Sequence, residues 1–256
     1  MMPVAVSFNA DRTRVAFRFA HSKGNILTAD IVEALRAGIE QVGQDPHLKL
    51  ITFEGAGEDF SFGASIPEHA PEHVARVLPL MHRLVEDVLD APAVTAAVVR
   101  GRCLGGGFEL ALACDVIVAA DTAQFGLPEI RLGVFPPAAA VLLPARVGYA
   151  RATRAVITGD AQSAAYWRDA GLVAFTAAPE ELSGRMDAWF DEHLASKSAA
   201  ALRHAALAVR SGLRAEVGER LPALERLYLD DLMRTHDARE GVQAFIERRS
   251  PQWRDD

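Results

Sequence analysis

Two short, nearly continuous apolar runs, Leu48–Phe53 and Val94–Val99, most constrain what this chain can fold into. Each is too short for a helix and reads as a strand buried on both faces. The first ends in Glu54-Gly55-Ala56-Gly57 and the second at Gly101. Between them, Pro71–Leu89 carries Val74, Val77, Leu78, Met81, Leu84, Val85 and Val88 at helical spacing. Gly105–Cys114 then reads as a turn into a short helix, and Val116–Ala119 as another buried strand. Strand and helix therefore alternate through the first ~150 residues, which predicts an α/β core with parallel pairing and right-handed crossovers.

Upstream, Val4–Phe8 and Arg14–Phe19 flank Asn9–Arg12 as in a hairpin. Ile31, Leu35, Ile39 and Val42 recur at helical spacing after a cap at Thr28 or Asp30. Beyond Gly171 the texture changes. Residues 180–248 are rich in Ala, Leu, Arg and Glu with a helical period, interrupted late by Pro222. They predict three or four helices forming a lobe or an oligomer contact. The 256 residues fit one large domain, or one domain with a small appendage.

The net charge of −7 and the lack of a basic stripe argue against nucleic acid as a partner. With lysine only at positions 23, 49 and 197, an anionic ligand would have to be met mainly by arginine or by backbone amides. Cys103 and Cys114 each sit in an apolar run, as expected of buried thiols in a reducing compartment. No signal peptide is visible at the N-terminus. The longest apolar stretches, 91–99 and 134–143, fall short of the ~20 residues that cross a membrane. The chain reads as cytoplasmic.

Two glycine turns carry the chemical signal. Asp59-Phe60-Ser61-Phe62-Gly63-Ala64-Ser65-Ile66 follows the first buried strand; Gly101-Arg102-Cys103-Leu104-Gly105-Gly106-Gly107-Phe108-Glu109 follows the second. Glycines at a helix start leave N–H groups bare, and two such donors from two loops would make an oxyanion hole. Either turn alone is only a turn. The glycine run lacks the ending of a phosphate loop and the spacing of a dinucleotide fingerprint.

Two carboxylates sharpen the reading. Glu109 lies in the first turn of an otherwise apolar helix, and Glu129 sits in Phe125-Gly126-Leu127-Pro128-Glu129-Ile130. Around one pocket they would hold a water and move its protons, with burial raising their pKa values toward neutrality. The plainer alternatives are a charge favouring the helix dipole for Glu109 and an ion pair with Arg131 for Glu129. His69 and His73, spaced i, i+4, suggest a metal pair, but Pro71 lies between them and no third ligand is evident. A solvated helix start is the preferred reading, and no metal is assigned. Cys103 has no nearby histidine and reads as a small buried hydrophobe, and His82 as a core-edge residue.

In order and spacing, Phe60–Ile66, Arg102–Asp115 and Phe125–Gly133 closely resemble the crotonase (enoyl-CoA hydratase/isomerase) superfamily. His21–Leu27 near the start and Glu240–Phe245 near the end extend the resemblance over nearly the whole chain. It implies a crotonase-like spiral of repeated ββα units with a C-terminal helical lobe, divided as residues 1–195 and 196–256. It implies that the amides of Ala64 and Gly106 hold an acyl-thioester oxygen, and that Glu109 and Glu129 are the paired hydratase glutamates. Lys23 and Ser65-Ile66-Pro67 match segments that lie along the CoA moiety. Coenzyme A would be part of the substrate, with no separate cofactor. Homotrimers or homohexamers are implied, with Phe245 and Trp253 at a subunit contact.

The departures matter too. Ser65 stands where the common motif has Asp, and Val134-Phe135-Pro136-Pro137-Ala138-Ala139-Ala140 replaces a glycine-rich segment. Apolar, stiff residues therefore reshape the floor of the acyl pocket. Together with Glu68-His69, this combination is similar to the branch of the superfamily that hydrates a cyclic dienoyl thioester. The alternatives are a short-chain enoyl-CoA hydratase or isomerase, and a catalytically weak CoA-thioester-binding oligomer.

Overall fold

In the computed structural model, which describes residues 3–21 and 24–256, the first sheet is built from strands that return to it in turn. β1 (Val4–Phe8) and β2 (Arg14–Phe19) form the expected antiparallel hairpin. The chain then runs through α1 (Ala29–Val42) to β3 (Leu50–Gly55), and through α2 (Val74–Asp90) to β4 (Val94–Val99). Thr28, rather than Asp30, caps α1, its hydroxyl accepting from the Ile31 amide. β3 is buried along its whole length, as its composition predicts.

From β4 onward the chain alternates between two sheets. β5 (Arg102–Leu104) leads into α3 (Gly106–Ala113), and β6 (Val116–Ala120) into β7 (Gln124–Gly126). α4 (Pro137–Val147), α5 (Tyr149–Thr158), β8 (Gln162–Ser163), α6 (Ala164–Asp169) and β9 (Phe175–Ala177) follow. One sheet has the order β1-β2-β3-β4-β6-β9, parallel after the hairpin; the other has the order β5-β7-β8. Single bridges, Leu27 to Ala64 and Ser61 to Cys103, continue the second layer toward the first glycine turn. This gives the spiral of ββα units that the resemblance implies, with the buried aromatics Phe17, Phe19, Phe53, Phe60, Phe108, Phe125 and Trp167 between its layers.

Three helices close the chain: α7 (Leu182–Phe190), α8 (Ala199–Arg226) and α9 (His236–Glu247). Pro222 does not interrupt them as its position in the sequence suggests; α8 runs through it to Arg226. α8 is fixed to the core by Arg210. Its guanidinium pairs with Asp115 (2.7 Å from Nε) and donates to the carbonyls of Leu89, Ala91 and Ala93. Only 3% of Arg210 is exposed, so nearly every donor of a buried cation is satisfied. Among the described residues, no helix is long and apolar enough to cross a membrane.

A second, smaller core forms where α2 meets the C-terminal segment. Val74, Leu78, Val134, Tyr228, Met233 and Ala238 are buried together there, with Leu132 and Phe135 against them. The site lies between this cluster and the main core.

Candidate active site

The two glycine turns lie side by side. Gly63 has φ +104°, a conformation that favours glycine, and its carbonyl accepts from the Leu27 amide at 2.9 Å. Ser65 donates to Leu27 at 3.1 Å, so the Ala64 N–H between them has no acceptor among the described residues. Gly106 is the first residue of α3, where helical geometry leaves the amide unbonded. A methyl group on Gly106 would stand 3.3 Å from the Ala64 nitrogen, so the two free amides are neighbours. They are the two donors expected from the sequence, with the N-terminus of α3 adding its positive dipole end.

Both glutamates converge on the same place. Glu109, in the first turn of α3, is 7% exposed, and its Oε1 accepts from the Ala139 amide at 2.9 Å. It is therefore not a solvated dipole partner. Glu129 does not pair with Arg131, which bonds Asp160 instead at 3.2 Å. Glu129 sits on a single 3-10 turn, Pro128–Leu132, closed by Gly133 in the left-handed region. Its Oε1 packs against Gly105, where a methyl group would stand 2.6 Å away. Its Oε2 is sealed from solvent and has no hydrogen-bond partner. Burial, and then the nearby Glu109, push the Glu129 carboxyl up to about 8. Burial also raises Glu109, against the lowering effect of the Ala139 amide, His82 and the Ala138 amide. At about 8, Glu129 favours its protonated form at neutral pH, while the hydrogen bond from the Ala139 amide offsets part of the effect of burial on Glu109.

These groups open onto one cavity of about 90 Å³. Ala64, Gly105, Gly106, Glu109 and Glu129 form its polar side; Leu78, Leu132, Val134, Phe135, Pro136 and Pro137 form most of its apolar side. The stiff apolar floor inferred from the sequence is thus present. Phe62 also lines the cavity, and its ring faces the Arg102 guanidinium at 5.3 Å.

Of the residues matched to the CoA moiety, Ile66 lines the acyl cavity. Ser65 lies at the start of a 3-10 turn, Ile66–His69, and makes no side-chain capping bond; Pro67 is on the exposed side of that turn. Lys23 lies outside the described residues.

Sequence reasoning missed two residues at the cavity. His69 is not at a solvated helix start: it lines the cavity, its Nδ1 lies 2.9 Å from the Ser65 carbonyl, and burial lowers its pKa. Tyr228 also lines the cavity and is 2% exposed. No signal in Leu-Tyr-Leu-Asp-Asp marks it, because what brings it inward is a π-helical turn, Leu227–Asp231. Cys103 is fully buried, with burial raising its thiol, in keeping with a packing role. His82 is more buried than a core-edge residue: it is 4% exposed, and its Nδ1 lies 2.6 Å from Glu225.

Comparison with known proteins agrees with this geometry. Residues 16–256 match the family model described as enoyl-CoA hydratase/isomerase. The chain is 41% identical over 251 residues to a cyclohexa-1,5-dienecarbonyl-CoA hydratase of Thauera aromatica, covering 98% of this chain and 96% of that one. It is 34% identical over 231 residues to a probable enoyl-CoA hydratase of Mycobacterium bovis, covering 90% and 89%. An enoyl-CoA hydratase structure from Mycobacterium avium subsp. paratuberculosis superposes with a TM-score of 0.87 at 27% identity, over 99% of each chain.

Proposed function

We propose, for a chain that belongs to the enoyl-CoA hydratase/isomerase family and is a hydro-lyase of that type, that it hydrates a cyclic dienoyl-CoA thioester. The substrate would be cyclohexa-1,5-diene-1-carbonyl-CoA and the product 6-hydroxycyclohex-1-ene-1-carbonyl-CoA, a step suited to anaerobic degradation of aromatic acids. One observation carries this reading: two free amides and two buried carboxyls share a single apolar-floored cavity. The relative from Thauera aromatica supports the ring as substrate.

In this mechanism the thioester oxygen sits between the N–H groups of Ala64 and Gly106. Negative charge grows on that oxygen as water attacks the β-carbon, and the two dipoles are already oriented to receive it. A single such donor is worth ~10²–10³ in rate. Glu109, ionised, takes the proton of the attacking water. Glu129, neutral at working pH, holds the water from its other side and supplies a proton next to the thioester. With a straight-chain enoyl thioester that completes a 1,2-addition. With the cyclic diene the intermediate is a dienolate, and the proton goes to the far end of the diene, a formal 1,4-addition.

Turnover of a panel of linear and cyclic CoA thioesters by the purified protein tests the reading. We expect kcat/KM on the cyclic dienoyl thioester to exceed that on crotonyl-CoA. The reverse order would assign the chain to short-chain enoyl-CoA hydration instead. No turnover of either would leave a thioester-binding oligomer.

A further inference from the structure

Tyr228 belongs to none of the motifs that carry the family resemblance, yet four features of its placement converge. It occupies a π-helical turn, a rare local geometry that recurs at functional sites. Its ring is held in one orientation, edge-on to Phe135 at 5.5 Å and among Val74, Leu78, Val134 and Met233. It lines the cavity that holds both glutamates, and its hydroxyl has no hydrogen-bond partner among the described residues. Burial, then Glu129 and Glu109, hold the phenol above its usual range, so it stays protonated throughout the working pH. Tyr228 thus lines the same cavity as both carboxyls, near enough to feel them and bonded to neither.

That placement matters for where a proton is delivered. Glu129 packs against Gly105 in the oxyanion loop, so it serves the carbon next to the thioester. In a six-membered 1,5-dienoyl thioester, the carbon that takes the hydroxyl, C2, and the carbon that takes the proton, C5, lie across the ring from one another. The group that reaches C5 must come from the opposite wall.

Resting on the ring-hydration reading above, we infer that the Tyr228 phenol is the distal proton donor of the reaction. The water oxygen bonds to C2 as its proton passes to Glu109, and the C1=C2 electron pair moves onto the thioester oxygen. That pair returns to form C1=C6, while the C5=C6 pair takes the phenol proton at C5. The phenolate recovers its proton from Glu109 through solvent, which restores both residues. One water has been added across C2 and C5, with no oxidant or reductant.

The test is Tyr228→Phe, which keeps the ring and its packing on Phe135 and removes only the hydroxyl. The expected result is a loss of kcat on the cyclic dienoyl thioester at least ~10²-fold greater than the loss on crotonyl-CoA, with KM for the ring within about threefold of wild type. Hydration by the wild type in D₂O is expected to place deuterium at the C5 methylene. Equal losses on both substrates, or an undiminished ring reaction, would overturn the role of Tyr228 and leave ring hydration standing. A wild-type enzyme that hydrates crotonyl-CoA but not the ring would overturn both.

Discussion

Glu109 and the Gly106 amide belong to α3, an eight-residue helix in which every residue is buried within the main core. Tyr228, Val134 and Phe135 belong instead to the small satellite cluster, joined to the rest of the molecule through α2 and the C-terminal segment. The same cavity therefore has one wall of fixed backbone dipoles and acids, and a second wall of side chains that meet edge to edge. The first wall holds groups that must not move as charge develops, because preorganised donors act without reorganising. The second sets shape. A fold can keep the chemistry of the first wall while different residues on the second change what is hydrated.

The largest effects should come from the first wall. Glu109→Gln and Glu129→Gln should each lower kcat by ~10²–10⁴ and leave KM within about threefold, as measured by steady-state hydration kinetics. Glu129 also gives hydration of crotonyl-CoA a pH limit: that activity should fall as pH rises through about 8, where the Glu129 carboxyl loses its proton. The same carboxyl affects stability. Because its folded pKa lies above the unfolded value, its stabilising effect is full below the unfolded carboxyl range and is lost as pH rises to about 8. Thermal melts of Glu129→Gln should show less loss of Tm between pH 5 and pH 9 than wild type, on the order of a few degrees. A Gln variant with unchanged kcat would remove the functional distinction between the walls.

Arg210→Met asks how firmly the C-terminal segment is tied to the core. The substitution removes the donor from three carbonyls and the cation from Asp115, which keeps only the Thr95 amide and hydroxyl, and should cost ~3–5 kcal/mol in chemical denaturation. Gly105→Ala probes the seam between the acids and the second glycine turn. Gly105 has φ +50°, and the added methyl meets Glu129 Oε1, so both backbone and carboxyl must shift. Activity should drop by ~10² with ~1–3 kcal/mol of destabilisation, read by kinetics and melting together. Phe135→Leu is the mildest. Losing the edge-on contact with Tyr228 should cost ~1 kcal/mol and shift the ratio of cyclic to linear turnover by about tenfold or less. If Phe135→Leu abolished all activity, shape and chemistry would not be separable.

Much of the first wall was legible in the amino-acid order, and for identifiable reasons. Glu109 stands alone among Phe108, Leu110 and Leu112, and a lone carboxyl in such company calls for a function. Gly63, Gly105 and Gly106 follow buried strands, so their backbone had to turn where the α/β layers end. The second wall was less legible. Val134 and Phe135 announced an apolar floor, but Tyr228 reaches it only because the helical register slips by one residue after Arg226. His69 looked solvated beside Glu68 and Pro71, and it is the fold of residues 66–69 against α9 that brings it to the cavity. Pro222 looked like a break, yet α8 continues through it. Such features depend on tertiary packing that overrides local propensity.

The bond from the Ala139 amide to Glu109 has a consequence for anyone redesigning this enzyme. Pro136 and Pro137, which shape the cavity floor, lie within three residues of Ala139, whose amide tunes Glu109. Enlarging that floor for a bulkier guest would also shift the proton affinity of Glu109. Selectivity and turnover are thus linked through one peptide unit, and a library that varies residues 134–138 should be screened across pH rather than at a single value.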